Sequence, residues 1–186
     1  MLLTQACKKE EPVSENIVYG KLNATLGYNK PFLLDANEDG VVDFAFSSVL
    51  IEADNKPYLY LFASTKSESG NKILVQKGPE LIINGLYTSA LEKNDVIGSI
   101  IPNEVMWTDM QQKGLLLGVS KIDNTKDQYG LWINKTDKYL GILLKINNKS
   151  HYGWIKLSHD SVKDEIIASG FAYSKLPDVD ILAGQK

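Results

Sequence analysis

The stretch YLGILLKINNKSHYGWIKL, residues 139–157, decides the fold class. Leu140, Ile142, Leu144 and Ile146 recur at every second position, which is the spacing that lines one face of a β-strand. Asn147, Asn148, Lys149 and Ser150 then supply turn formers, and His151-Tyr152-Gly153-Trp154-Ile155-Lys156-Leu157 runs back as a second strand. A third apolar run at 166–173 extends the hairpin into a meander.

The same rhythm fills the chain. Strands are expected at 17–19, 32–34, 42–47, 49–53, 58–64, 72–76, 114–120, 130–133, 139–146, 152–157, 165–173 and 180–182. Between them lie runs of turn formers such as Asp54-Asn55-Lys56-Pro57 and Ser67-Glu68-Ser69-Gly70-Asn71. Residues 81–86 and 103–107 fit neither period, and a short helix is compatible with either. The pattern predicts an all-β protein, an antiparallel β-sandwich or jelly roll with a C-terminal meander and little helix. A length of 186 residues suits one domain, placed at 17–186, and 44% hydrophobic with 23% charged residues is ordinary for a soluble globular body. The net charge of -3 and the lack of a long basic run argue against nucleic acid as a partner. No stretch reaches the roughly 20 apolar residues of a membrane-spanning helix.

The strongest chemical signal is Asp35-Ala36-Asn37-Glu38-Asp39-Gly40-Val41-Val42-Asp43. Oxygen-bearing side chains stand at alternate positions and a glycine marks the sharp turn, as in a loop that wraps calcium with six to eight hard oxygen ligands. Asp35, Asn37 and Asp39 are the candidate side-chain ligands, Val41 offers its carbonyl, and Asp43 closes the set. This is the first half of the EF-hand pattern D-x-[DN]-x-[DN]-G. Phe46 stands where an EF-hand carries its bidentate glutamate, so the stretch resembles instead the β-type loop of FG-GAP repeats, which joins strands. The competing reading is a solvated, metal-free acidic turn.

Leu2-Leu3-Thr4-Gln5-Ala6-Cys7 resembles the end of a bacterial lipoprotein signal, in which a small residue precedes a cysteine that becomes lipidated. Residues 1–7 are then a signal remnant with Cys7 as lipidation site, although the basic and most of the apolar parts of such a signal are missing. The alternative is a free thiol on an irregular terminus. Residues 8–16 are charged and polar with one proline, a tether without a buried face. Lys9-Glu10-Glu11 resembles a signal that carries some lipoproteins to the outer face of the outer membrane. The expected partner is therefore a membrane, reached through the lipid anchor, and the expected location is the bacterial envelope.

The segments YLGILLKINN, HYGWIKL and IIASGFAYSKLPDVDILAGQ together resemble the C-terminal half of a loose group of secreted or anchored bacterial proteins. Members share a Y-G-W-[IV]-[RK]-[LV] strand, a following A-Y strand and an I-x-A-G ending, and commonly begin with an acidic Asp/Asn/Gly loop. The resemblance covers about the last fifty residues and the acidic loop. It implies an extracytoplasmic β-sandwich of unassigned role and supplies no catalytic residues.

Trp132, Tyr152 and Trp154 are candidate ligand-binding residues, because flat aromatic faces stack on sugar rings. Large aromatics more often pack within the core, and that reading stands beside it. His151 and His159, eight apart, match no zinc spacing. The sequence holds no G-x-S-x-G, H-E-x-x-H, P-loop or G-x-G-x-x-G motif. The sequence thus points to a calcium-stabilised, lipid-anchored envelope protein acting as a non-enzymatic structural or binding module. The alternatives are a lectin-like surface protein that binds a glycan or envelope polymer, and a glycan hydrolase.

Overall fold

The computed structural model describes residues 13–66, 68–78, 85–102, 104–108, 112–122 and 125–186. Cys7, most of the expected tether and residues 81–84 lie outside that set. The described residues contain fourteen strands and no helix: β1 (Ile17–Leu26), β2 (Phe32–Leu34), β3 (Phe44–Ala53), β4 (Lys56–Thr65), β5 (Lys72–Gln76), β6 (Leu86–Thr88), β7 (Val96–Ile97), β8 (Val105–Trp107), β9 (Lys113–Ile122), β10 (Thr125–Tyr129), β11 (Lys138–Ile146), β12 (Lys149–Asp160), β13 (Glu165–Ser174) and β14 (Ile181–Leu182).

Twelve of them make one sheet with the path β1-β13-β12-β11-β5-β6-β9-β4-β3-β2, to which β10 adds on β9 and β8 on β5. The fold is all-β as expected, but it is not a clear sandwich. The ten-strand path curls until β1 at one end lies against β2 and β3 at the other, giving a nearly closed, barrel-like sheet. It is mixed, because β6 runs parallel to β9 through the pairs Leu86 with Gly114 and Tyr87 with Leu115. Two features explain the departure. The pairing of β11 with β5 fuses the C-terminal meander to the other strands instead of leaving two sheets face to face. Register breaks at Lys21/Ala24, Leu61/Phe62 and Lys156/Leu157 then add the local twist by which bulged strands bend a sheet.

The curled sheet encloses one core. Leu26, Phe44, Phe46, Leu61, Ile73, Leu117, Leu140, Ile142, Ile155 and Ile166 all belong to it, so the interior is filled with side chains. The opposite faces of some strands are buried too. Leu74, Tyr139, Leu143, Tyr152 and Trp154 pack outside the barrel with Ile97 and Ile181 of the small β14/β7 ribbon. On the β4 side, Tyr58, Tyr60, Phe62, Tyr87 and Leu115 make a third cluster that Tyr129 and Leu131 cover. Strands buried on both faces read as continuous apolar runs, which is why β11 combines alternation with Tyr139 and Leu143 at the outward positions.

One expected strand is absent. Residues 130–133 form a turn, beginning at Gly130 with φ +119, a conformation that side chains resist. A Cβ there would stand 2.4 Å from the Leu116 carbonyl oxygen. The turn drives Trp132 into the core, where its indole N–H donates to Thr88 Oγ1 at 2.8 Å. The strands expected at 42–47 and 49–53 are one continuous β3.

Candidate functional site

The acidic loop connects β2 to β3 at one end of the barrel. Chain reversal uses two residues in the left-handed region, Glu38 at φ +59 and Gly40 at φ +83, and a Cβ on Gly40 would meet nothing within 4 Å. Glycine is therefore there for its backbone and not for space. Asp35 takes the N–H of Asp39 on Oδ1 at 3.2 Å and that of Gly40 on Oδ2 at 2.8 Å. The Asp39 N–H also reaches Asn37 Oδ1 at 3.2 Å, while the Val41 N–H donates to Asp39 Oδ1 at 2.8 Å and the Asn37 amide donates to Asp39 Oδ2 at 3.0 Å. Asp35, Asn37 and Asp39 thus converge on one turn. The Val41 side chain faces out.

Asp43 does something different. It is buried, its N–H donates to the Leu34 carbonyl at 2.9 Å, and its two carboxylate oxygens point into the fold. Oδ2 accepts the Ala36 N–H at 2.8 Å, and Oδ1 accepts the side-chain amide of Asn71 at 2.9 Å. Asn71 in turn accepts the Lys145 N–H at 2.7 Å, so a polar chain runs from the loop through the residue before β5 to the end of β11. Burial pushes the Asp43 carboxyl above the ordinary carboxylate value; the Ala36 and Asn71 hydrogen bonds oppose that, and the charges of Asp39 and Asp35 add to it. Burial likewise raises the Tyr173 hydroxyl, with the charges of Asp43, Glu38 and Asp35 next in importance.

The donor set is all oxygen, which suits a hard cation such as calcium. Among the described residues no three His, Cys, Asp or Glu side chains are gathered as a metal-ligating group. The carboxylates are closed instead on N–H donors, each oxygen retaining a second lone pair. Asn71 is the part of this site that sequence reasoning misses. It sits 28 residues from Asp43 in a segment that reads only as a turn.

The three candidate aromatics do not line a surface. Trp132, Tyr152 and Trp154 are buried. Trp154 meets Tyr139 edge-on at 5.2 Å between ring centroids, and its N–H donates to the Gln185 carbonyl at 3.1 Å. Tyr152 stacks on Trp107 at 5.8 Å. A sugar ring has no open face to lie on at any of them, and packing is what these rings do. The histidines are buried as well. His151 donates Nδ1–H to the Ser174 carbonyl at 2.8 Å. His159 accepts the Asn134 N–H on Nδ1 at 2.9 Å, and its Nε2 has no hydrogen-bond partner among the described residues.

Around His159 lies a second polar group, at the opposite end of the barrel from the acidic loop. Asp164, in the turn between β12 and β13, is buried and pairs with Lys121 and Lys126 at 2.5 Å each, and the Gln128 amide donates to it at 2.9 Å. Burial raises the Asp164 carboxyl, but the two lysines outweigh it and hold the group below its ordinary value. Burial lowers the His159 imidazole against the opposing charge of Asp164.

Compared with protein-family models, with curated proteins and with solved structures, the chain matches none.

Proposed function

We propose that this chain is a calcium-stapled β-module of the bacterial envelope, held to the outer membrane by a lipid on Cys7 and working by structure or binding and not by catalysis. The observation that carries the reading is the inner end of the acidic loop. Asp43 is buried, has its carboxyl raised, and is wired through Asn71 to the β11 backbone. Asp35, Asn37, Asp39, the Val41 carbonyl and Asp43 would hold the ion. Calcium would offset the mutual repulsion of three carboxylates and the burial of one of them, at the place where the β2–β3 connection meets the barrel. All these ligands come from one closed loop, which suits a staple better than a site that must admit substrate.

Calcium binds only the folded loop, so at about a hundredfold excess over its dissociation constant it adds ~2.7 kcal/mol of stability. For a chain of this size that raises the melting temperature by roughly 5–10 °C over the chelated protein, with less from magnesium, which demands a tighter octahedron. A melting temperature that chelator leaves unchanged, or an Asp39→Ala variant responding to calcium as wild type does, removes the ion from the account. The anchor has its own readout. Protein produced with its upstream region should partition into a detergent phase and Cys7→Ser into the aqueous phase; equal partitioning of the two rejects the lipid.

A further inference from the structure

The end of the barrel away from the acidic loop is not filled. A cavity of about 290 Å³ opens there, lined by Leu50, Leu59, Val119 and Lys121 from the sheet and by Lys163 and Asp164 from the turn that follows β12. The first three lie on neighbouring strands in register, Leu50 opposite Leu59 on β3 and β4 and Leu59 opposite Val119 on β4 and β9. Val119 belongs to the main core and Leu59 packs against it, so the wall continues the barrel interior outward to Leu50, which is 53% exposed. Two residues further along β9, on the same face, stands Lys121, cross-strand from Lys126. The turn at 161–164 supplies Lys163 and Asp164, and Asp160 holds that turn by accepting the N–H groups of Val162 and Lys163 at 3.0 and 3.1 Å.

We propose that this mouth binds a small amphipathic anion, a single-chain carboxylate whose hydrocarbon part lies on Leu50, Leu59 and Val119 and whose charged end meets Lys163 and Lys121. The size fits. The volume is that of roughly ten water molecules, at the small end of ligand sites, and the mouths of β-barrels are a recurrent place for them. The sign of charge follows from the local balance. Asp164 already pairs with Lys121 and Lys126, and Asp160 is turned to the backbone N–H groups of its own turn. Among the described residues that line the cavity, Lys121 and Lys163 meet one carboxylate, Asp164, so the lining carries one positive charge in excess beside an apolar wall, and Lys163 has no ion pair among the described residues. Neither group belongs to the calcium loop, which enters β3 six residues before Leu50, about 20 Å along the strand. The proposal therefore stands or falls independently of the metal.

Calorimetric titration of the whole chain with decanoate, below the concentration at which it forms micelles, tests it. Saturable binding of one decanoate per chain is expected, weaker by about tenfold for decanol, which keeps the chain but loses the charge-assisted contact, and absent for decyltrimethylammonium. Leu50→Asp and Lys163→Glu change exposed side chains and leave the fold intact by circular dichroism, and each should weaken decanoate by about tenfold or more. Absence of saturable decanoate binding overturns the proposal. So does equal affinity for the ammonium compound, or wild-type affinity in both variants.

Discussion

Asn71 holds the acidic loop to the barrel with its two ends. Its amide N–H donates to Asp43 Oδ1 and its carbonyl accepts from the Lys145 backbone, so one buried side chain joins a connection between β2 and β3 to a strand more than seventy residues later. The orientation is fixed by its partners, because a carboxylate only accepts and a backbone N–H only donates. Removing the amide leaves the buried Asp43 carboxylate and the part-buried Lys145 N–H without that partner, and an unsatisfied buried polar group costs about 1–3 kcal/mol. Asn71→Ala should therefore destabilise the protein by roughly 2–4 kcal/mol, read as a lowered denaturant midpoint at unchanged m-value. A loss below about 0.5 kcal/mol, the range of ordinary surface substitutions, means the bridge carries nothing. Asp43 itself is a poorer probe, since an asparagine there removes a costly buried charge while turning one donor against another, and the two effects oppose.

At the scale of elements, what was legible in the sequence was local. The β11–β12 hairpin could be read residue by residue, because alternation marks both arms and Asn147-Asn148 suits a two-residue turn with positive φ at both positions, observed at +50 and +62. Asp54 and Asn55, at +52 and +59, repeat the device between β3 and β4. The turn of the acidic loop was legible for the same reason, its alternating Asp and Asn residues and its glycine lying within nine residues. What escaped depends on partners far along the chain. Alternation is satisfied by any arrangement that buries one strand face, so it cannot separate a sandwich from a curled single sheet; the β11–β5 and β6–β9 pairings decide that, and neither leaves a local mark. The apolar run at 130–133 looked like a strand because its Trp132 is core, yet it reaches the core from a turn opened by Gly130. Thr125–Tyr129, polar on most of its length, is the strand that pairs there instead. Asp164 was one acidic residue among many until the fold set Lys121, Lys126 and His159 around it.

For the whole molecule, the two ends of the barrel respond to acid in opposite senses. His159 has a folded value below its ordinary 6.5, so the unfolded chain takes up a proton first, and stability present above pH 6.5 is lost as pH falls through the folded value. Asp164, held below 3.8, adds a further loss only below that pH. Asp43 runs the other way. Its carboxyl is raised above 3.8, so its contribution is present below 3.8 and is lost as pH rises through the folded value. If the proposed calcium is bound, it would hold Asp43 ionised and cancel that gain on acidification. The decisive comparison is wild type against His159→Asn, whose amide oxygen can still accept the Asn134 N–H that Nδ1 accepts now. Burial disfavours the charged ring, Asp164 and Asp160 favour it and Lys126 opposes it, and because Nδ1 accepts the Asn134 N–H the added proton must go to Nδ1 at the loss of that bond. In chelator, the stability of wild type minus that of the variant should fall from pH 7 to 5 with a slope of up to about 1.4 kcal/mol per pH unit, and Asp43 drops out because both proteins carry it. Parallel stability curves across that interval would show that the His159 end of the barrel takes up its proton as readily folded as unfolded.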